Sequence, residues 1–174
     1  MELIVPLKTI DELLRTMGDT GSLTILATPK QIAFQFDGVL VISKLTEGTY
    51  PNFRQVIPQG ASNRVVLERE MLLAAIRRTS QLVIDAISGV KLMFTPNRLE
   101  ILAAAPEIGE ARESMDVKYK GPEITIAFNP TFLMDPLKAL TTDEVYLDLV
   151  DDTNPGMIRS TINFVYVLMP IRIS

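Results

Sequence analysis

Cysteine and histidine are both absent from the 174-residue sequence. Without them the chain cannot form a Ser-His-Asp triad, a Cys-His pair or a conventional zinc site. It also has no disulfide framework that would suggest secretion. No apolar run approaches the length needed to span a bilayer, and the first residues lack the basic start and small-residue cleavage site of a signal peptide. We therefore expect a soluble, cytoplasmic protein.

The composition is that of a folded, acidic protein. Hydrophobic residues form 47% of the chain and charged residues 22%, and the formal net charge is −4. A chain of this length can bury a substantial core and suits one domain or one and a half. A polyanion could be held only where basic residues are clustered on one surface.

The best candidate for metal chemistry is the acidic segment DLVDDTNPG, which contains Asp148, Asp151 and Asp152. Carboxylates can hold magnesium. We favour the alternative, an acidic turn between two strands, because Asp, Asn, Pro and Gly form turns and the ligand pattern of an EF-hand loop is missing. A glycine-rich phosphate loop is missing too. The sequence predicts a non-enzymatic protein without a metal or other cofactor.

One unit, consisting of a strand, a short helix and about three further strands, occurs three times at a spacing of about 60 residues. Its first strand and helix are ELIVPL with KTIDELLRTMG, RVVLE with REMLLAAIRRTS, and EITIAF with NPTFLMDPLKAL. The later strands are SLTIL, QIAFQF and VLVISKL, then VKLMF, RLEILAA and ARESMDV, then EVYLDL, GMIRS and FVYVLM. Several alternate apolar and polar residues, which is typical of half-buried strands. The pattern predicts an α+β fold.

The helices have recognisable faces and ends. In the first, an apolar stripe predicted to pack on a sheet comprises Ile10, Leu13, Leu14 and Met17. Thr9 and Glu12 have capping-box spacing. In the third, Asn129 and Pro130 form a typical start, whereas Pro136 is expected to kink or shorten the helix.

Basic residues recur on the predicted helices although the protein is acidic. They are Lys8, Arg15, Arg69, Arg77, Arg78 and Lys138. A mixed-charge, solvated face is the simpler interpretation for any one helix. Recurrence in three copies favours a surface that binds nucleic acid through phosphates, independently of base sequence.

Two motifs resemble the bacterial DNA sliding clamp, the beta subunit of DNA polymerase III. LTEGTYPNFRQVIP, residues 45–58, resembles the family's connection between its second and third domains. YVLMPIR, residues 166–172, is similar to its C-terminal signature, and LKALTTDEVYLDL also fits. The resemblance covers the whole chain and implies half a clamp domain over 1–58 and a complete one over 59–174. It matches the second half of the middle domain plus the last domain.

The resemblance implies a DNA-clamp fold with sheets outside and helices lining a ring around duplex DNA. The six basic residues would lie on or near the helices that face the hole. Such a protein acts as a processivity factor, an accessory subunit that tethers a DNA polymerase or repair proteins. It implies no catalytic residue and no metal site.

The resemblance also implies an apolar groove for short peptides of the partner proteins. From the connection it would be lined by Pro51, Gln55 and Val56, and from the C-terminal strand by Val167, Leu168, Met169, Pro170, Ile171 and Arg172. Pro155 is added from the preceding turn by a less direct match. The same apolar residues could instead fill an interdomain core. The other wall of the groove belongs to the half-domain that this chain does not include.

Twelve units form a clamp ring, so four copies of a three-unit chain would suffice. One hypothesis is a head-to-tail ring of four in which each first unit completes a neighbour's half-domain. The rival is a fragment or interaction module that binds clamp partners without encircling DNA. A carboxylate-metal nuclease using Asp151 and Asp152 is a third possibility. A clamp loader is among the partners that the resemblance implies.

Overall fold

The structure, a computed structural model, describes residues 2–83, 89–105 and 108–172. The chain divides into two compact units, Met1–Asn52 and Phe53–Ser174, called here the N-terminal unit and the C-terminal unit. The predicted domain limits, 1–58 and 59–174, assign residues 53–58 to the first domain, whereas the compact units assign them to the second. The predicted limits stay a prediction. Among the described residues, no helix is long and apolar enough to cross a membrane.

The N-terminal unit contains one helix and one antiparallel sheet. Its elements are α1 (Leu7–Thr16), β1 (Thr24–Ala27), β2 (Gln31–Phe36) and β3 (Val39–Lys44). The sheet has the order β1-β2-β3, which confirms the three predicted strands. Asp37 and Gly38 make the tight turn between β2 and β3 with φ of 45° and 78°, the backbone that two-residue hairpins favour. A small core forms between Leu13 of α1 and three side chains of β2, Ile32, Phe34 and Phe36.

The predicted first strand of this unit, ELIVPL, is wrong. Residues 2–6 belong to no strand, and α1 begins at Leu7. Ile4 O accepts a backbone hydrogen bond from Thr46 N at 2.9 Å, and Pro6 O accepts one from Thr9 N at 2.9 Å at the start of α1. Leu3 and Val5 are partly buried against the small core. A strand requires a neighbour to pair with, and the N-terminal unit offers this segment none.

The C-terminal unit contains the other two repeats in full. The first has β4 (Asn63–Glu68), α2 (Arg69–Thr79), β5 (Val90–Thr95), β6 (Arg98–Ala105) and β7 (Gly109–Asp116). The second has β8 (Ile124–Phe128), α3 (Pro130–Ala139), β9 (Glu144–Leu149), β10 (Gly156–Arg159) and β11 (Val165–Leu168). Short 3-10 turns occur at Phe53–Gln55 and Ser80–Leu82. The strands and helices predicted for these two repeats are confirmed.

The two repeats of the C-terminal unit exchange their first strands. The sheets have the orders β11-β10-β9-β4 and β7-β6-β5-β8, so each first strand pairs with the opposite repeat. Helices α2 and α3 pack against each other. One apolar core joins both sheets and both helices, with Val65, Ile76, Leu92, Phe128 and Leu137 among its fully buried side chains. The repeats therefore form a single packed domain.

The helix ends differ in part from prediction. Asn129 caps α3 as predicted, because its side chain accepts a hydrogen bond from Thr131 N at 2.9 Å. Pro136 is buried and does not shorten α3, which has ten residues, the same length as α1. The capping box at Thr9 is wrong: its hydroxyl donates instead to Ser43 Oγ at 2.7 Å.

The apolar stripe predicted for α1 is only partly packed. Leu13 is buried, but Leu14 is 77% exposed. Ile10 and Met17 are each 37% exposed. A stripe of this kind normally lies against a core, so α1 presents an apolar face that its own unit does not cover.

Candidate nucleic-acid and peptide-binding surfaces

A basic residue occupies the same helical position in all three repeats. Counted from the first residue of each helix, the ninth is Arg15 in α1, Arg77 in α2 and Lys138 in α3. All three side chains are exposed. The ninth position therefore faces solvent in all three helices.

These three cations differ in how firmly they are held by acids. Arg15 pairs with Glu12 on the surface of α1, and this hydrogen bond raises the pKa of the guanidinium. Lys138 Nζ lies 3.8 Å from Asp135 Oδ1, a long contact between half-exposed groups. Arg77 makes no ion pair with any residue in the ranges 2–83, 89–105 and 108–172. Exposed ion pairs contribute little stability, so a phosphate can replace such partners.

Arg78 is engaged more firmly than Arg77. Its Nε and Nη2 donate to the two carboxylate oxygens of Glu113 on β7, at 2.7 and 3.1 Å. The bond raises the pKa of Arg78 and lowers that of Glu113. A bidentate pair of this kind fixes the guanidinium plane. Arg78 can reach a phosphate only by leaving Glu113 or by sharing its remaining donors.

The guanidinium of Arg69 is bonded to backbone carbonyls within the protein. Its Nε donates to Thr142 O at 2.7 Å and its Nη1 to Leu137 O at 3.0 Å. Its side chain is 13% exposed and also pairs with Glu70. These bonds satisfy one carbonyl in the last turn of α3 and one in the segment between α3 and β9. Lys8, by contrast, lies exposed in the first turn of α1. DNA contact stays a prediction for both residues.

An open cleft of about 510 Å³ lies beside the C-terminal strand of the C-terminal unit. It brings together five of the residues predicted from the C-terminal motif, together with three that were not predicted. The lining comprises Val167, Leu168, Met169, Pro170 and Ile171 with Asn129, Phe132 and Tyr166. Ile171 N donates to Ala127 O at 2.8 Å, which holds this segment along β8.

The cleft offers exposed apolar side chains. Met169 is 68% exposed and Phe132 is 56% exposed, whereas Leu168 is 3% exposed and belongs to the core. A flexible thioether beside an aromatic ring is suited to apolar side chains of varied shape. Phe132 was missed from the sequence, although an aromatic residue outside the inward-facing positions of α3 is a usable signal.

The remaining predicted groove residues do not line this cleft. Gln55 and Val56 are exposed at the 3-10 turn of the connection, where Val56 N donates to Phe53 O at 3.2 Å. Pro155 is half-buried before β10, and Arg172 is exposed at the end of the described chain. Pro51 is exposed and belongs to the N-terminal unit. Their part in a groove stays a prediction.

The acidic segment after β9 is a turn, as the favoured interpretation has it. Asp151 accepts hydrogen bonds from Thr153 N and Asn154 N, both at 2.8 Å. These bonds lower the pKa of Asp151 from 3.8 to about 2. Asp148 is buried and paired with Arg64. Within the described part of the chain, no group of three acids could hold a metal ion.

A second open cleft, of about 680 Å³, has the wrong charge for phosphate. Its charged lining residues are Glu68, Asp116, Asp143, Glu144 and Lys118. The lysine is already paired with Glu144 at 2.8 Å. A surface with four carboxylates and one lysine repels a polyanion, so we assign it no part in DNA binding.

Two family models together match nearly the whole chain. Residues 1–52 match the central domain of the DNA polymerase III beta subunit, and residues 54–172 match its C-terminal domain. The chain belongs to the DNA polymerase III beta subunit family. The resemblance found in the sequence is therefore confirmed, and the matches divide the chain where the two compact units divide.

Relatives and solved structures of this beta-subunit family agree. The chain is 34% identical over 172 residues to the beta sliding clamp of Chlamydia pneumoniae, covering 99% of this chain and 47% of the relative. It is 34% identical over 175 residues to the beta sliding clamp of Pseudomonas putida, covering 99% and 48%. The chain thus spans about half the length of the curated relatives it matches.

The fold is that of the beta subunit in crystals. The DNA polymerase III subunit beta of Pseudomonas aeruginosa superposes with a TM-score of 0.94 at 32% identity, over 99% of this chain and 48% of that one. A Bartonella birtlesii sliding clamp bound to griselimycin superposes with a TM-score of 0.91 at 29% identity, over 98% and 47%. The predicted DNA-clamp fold is confirmed.

Proposed function

We propose that the chain is a DNA sliding clamp subunit that encircles duplex DNA and tethers a polymerase or repair protein. It acts as a non-catalytic accessory subunit in the cytoplasm. The observation that carries the proposal is the exposed basic residue at the ninth position of all three helices. Family membership supports it, because the relatives are named beta sliding clamps.

The basic positions suit sliding better than tight binding. Arg15, Arg77 and Lys138 are exposed, and each lies on a different helix. Contacts between such cations and phosphates are independent of base sequence and weaken as salt rises. A ring held by topology needs no stronger contact, since weak contacts let it move along the duplex.

The ring itself requires more than one copy. A chain with three repeats supplies a quarter of a twelve-unit ring, so we propose a ring of four copies, assembled with or without a clamp loader. The tethering function is assigned to the cleft lined by Phe132 and Met169, which would take an apolar peptide of a clamp partner. Pro51, Gln55, Val56, Pro155 and Arg172 are proposed to extend it.

Encirclement is tested by topology. The protein is mixed with linear duplex DNA so that rings can thread over the ends, and the DNA is then circularised by ligation. After a wash at moderate salt, we expect protein to remain on the circles and to be released when a restriction enzyme reopens them. This design needs no clamp loader.

Charge reversal supplies the matched comparison. Arg77→Glu with Lys138→Glu is expected to weaken initial DNA binding and to lower the slope of log K against log salt by about 1 for each phosphate that is no longer bound. Lys120→Glu, at an exposed lysine outside the helices, should leave both unchanged. Equal retention on linear and circular DNA would argue against encirclement and favour an interaction module that keeps only the cleft.

A further inference from the structure

The C-terminal unit shows how one repeat is completed by another. Strand β4 pairs antiparallel with β9, and β8 pairs antiparallel with β5, so the exchange is reciprocal. Each helix also has the other helix as its neighbour. The N-terminal unit contains one repeat of the same kind. Among its described strands, β1 pairs only with β2 and keeps a free edge.

The exposure of side chains at equivalent positions of the three helices shows which contact α1 lacks. The eighth residue is Leu14 in α1, Ile76 in α2 and Leu137 in α3, and the exposed fractions are 77%, 0% and 0%. The seventh residue is buried in all three helices. Thus α1 packs on its own sheet as the others do, but it lacks the second contact that buries the eighth position in α2 and α3.

The fourth and eleventh positions, counted in the same way, give the same result. Ile10 is 37% exposed, whereas its equivalents Leu72 and Leu133 are 2% and 1% exposed. Met17 is 37% exposed, whereas its equivalent Leu140 is 3% exposed. With Leu7 and Leu14, Ile10 and Met17 form a continuous apolar stripe at i, i+3, i+7 and i+10.

Strand β1 is uncovered in the same way. All four of its residues are exposed, with Ile25 at 54%. In the equivalent strand β5, alternate residues are buried, with Leu92 at 1%. An exposed apolar strand with a free edge is a template for pairing with another strand. Residues 2–6 precede α1 as β4 precedes α2 and β8 precedes α3, but they form no strand and pair with none of the described strands.

We propose that this surface binds the same surface of a second copy of the chain. Residues 2–6 of each copy would add to the free edge of β1 in the other, and the two α1 helices would pack together through Ile10 and Leu14, as α2 packs on α3. The surface is complementary to itself because it carries both the unpaired segment 2–6 and the free edge of β1. A contact in which both copies use the same surface patch is isologous, and it joins two copies and no more.

The register follows from the C-terminal unit. There Ile126, four residues before α3, lies opposite Leu92. Leu3 likewise lies four residues before α1. Ile25 is the equivalent of Leu92 because the two residues hold the same place in their hairpins. Ile25 lies two residues before Ala27, which pairs with the buried Ile32. Leu92 lies two residues before Phe94, which pairs with the buried Leu99. Leu3 is therefore placed opposite Ile25 of the second copy.

This contact deepens the proposed ring but does not depend on DNA binding. Because it is isologous, a closed ring of four copies needs a second contact elsewhere, one that joins two such pairs. Measurements of solution mass and of cross-linking contain no DNA. Their failure would remove the pairing and leave the topological test of the clamp function untouched.

The first experiment measures mass in solution by light scattering over a dilution series. One chain has a mass of 19.3 kDa. We expect wild-type protein at an even multiple of that mass, and Leu14→Glu at half the wild-type mass. The control is Ile42→Glu, at a position 61% exposed on β3, the far edge of the same sheet, which should keep the wild-type mass. A wild-type monomer, or an unchanged mass for Leu14→Glu, overturns the proposal.

The second experiment tests the register by cross-linking, since the sequence has no cysteine. A Leu3→Cys variant is mixed with a size-tagged Ile25→Cys variant and oxidised. Residues directly opposite in an antiparallel pair are close enough for a disulfide, so a linked pair of unequal chains is expected. Leu26→Cys, whose side chain points to the other face of the sheet, is the control. Equal cross-linking of Leu3→Cys with both positions, or with neither, overturns the register.

Discussion

Arg64 donates two hydrogen bonds to Asp148, the residue directly opposite it on the neighbouring strand. The Nε–Oδ1 and Nη2–Oδ2 distances are 2.7 and 2.8 Å. Asp148 is buried, and Nε of Arg159 lies 3.3 Å from its Oδ2. That nitrogen is itself buried and has no hydrogen bond to any described residue. One carboxylate thus offsets two guanidinium groups at the exchange of β4 onto β9.

Replacing this carboxylate should destabilise the C-terminal unit. Asp148→Asn keeps the volume but leaves the buried Nε of Arg159 without its counter-charge, and we expect the free energy of unfolding to fall by about 2–4 kcal/mol. Urea denaturation followed by circular dichroism measures it. The control Asp152→Asn, at an exposed acid of the following turn, should change stability by less than about 0.5 kcal/mol. Equal effects of the two variants would contradict this role of Asp148.

The Asp151 turn makes stability depend on pH in the acid range. Its pKa is lowered in the folded state, to about 2 from 3.8. The stability that the carboxylate contributes is therefore present above pH 3.8 and is lost as the pH falls toward 2. We expect the urea midpoint of the wild type to fall more steeply over this range than that of Asp151→Asn. Parallel pH profiles for the two proteins would show that the turn makes no such contribution.

Glu113 is expected to restrain DNA binding by holding Arg78. Glu113→Gln removes a negative charge and loosens the bidentate pair, so affinity for duplex DNA at low salt should rise by a fewfold. Fluorescence anisotropy with a labelled duplex measures the change. Glu110→Gln, an exposed acid on the same strand, is the control for the loss of one negative charge. An equal rise in DNA affinity in both variants would show that the effect comes from net charge and not from the release of Arg78.

The cleft beside the C-terminal strand should bind apolar ligands through Phe132 and Met169. The proposed tethering function predicts that the wild-type chain binds griselimycin and that Phe132→Ala and Met169→Ala each weaken this binding by about tenfold. Griselimycin is the probe because it is bound to the related Bartonella birtlesii clamp. Isothermal titration calorimetry gives the affinities, and Ile162→Ala, another exposed apolar residue, is the control. Undiminished binding by both cleft variants would place the ligand elsewhere.

Much of the architecture could be predicted from local patterns. Alternating residues identify the strands of the hairpins, and Asn129 with Pro130 identifies the start of α3, because these signals depend on neighbours along the chain. The segment 2–6 could not be judged in this way. Its pattern matches that of β4 and β8, but those segments become strands only by pairing with residues far along the chain.

The candidate sites show the same limit. Residue type and position identified Arg77 and Lys138 as exposed cations. They did not show that Arg77 is exposed whereas Arg69 is nearly buried. The guanidinium of Arg69 meets carbonyls of Leu137 and Thr142, which are brought near by the packing of α2 on α3. Likewise, the C-terminal motif indicated Met169, while Phe132 joins it only because α3 lies beside that segment.

The exchange of first strands has a consequence for how the C-terminal unit folds. Arg64 and Asp148 are 84 residues apart, so β4 can complete its sheet only after β9 has been synthesised and positioned. Contacts of such high sequence separation slow folding. Neither repeat has a complete sheet alone. The unit should therefore fold only after both repeats have been synthesised. It should also unfold in one cooperative transition, with no stable half-formed intermediate.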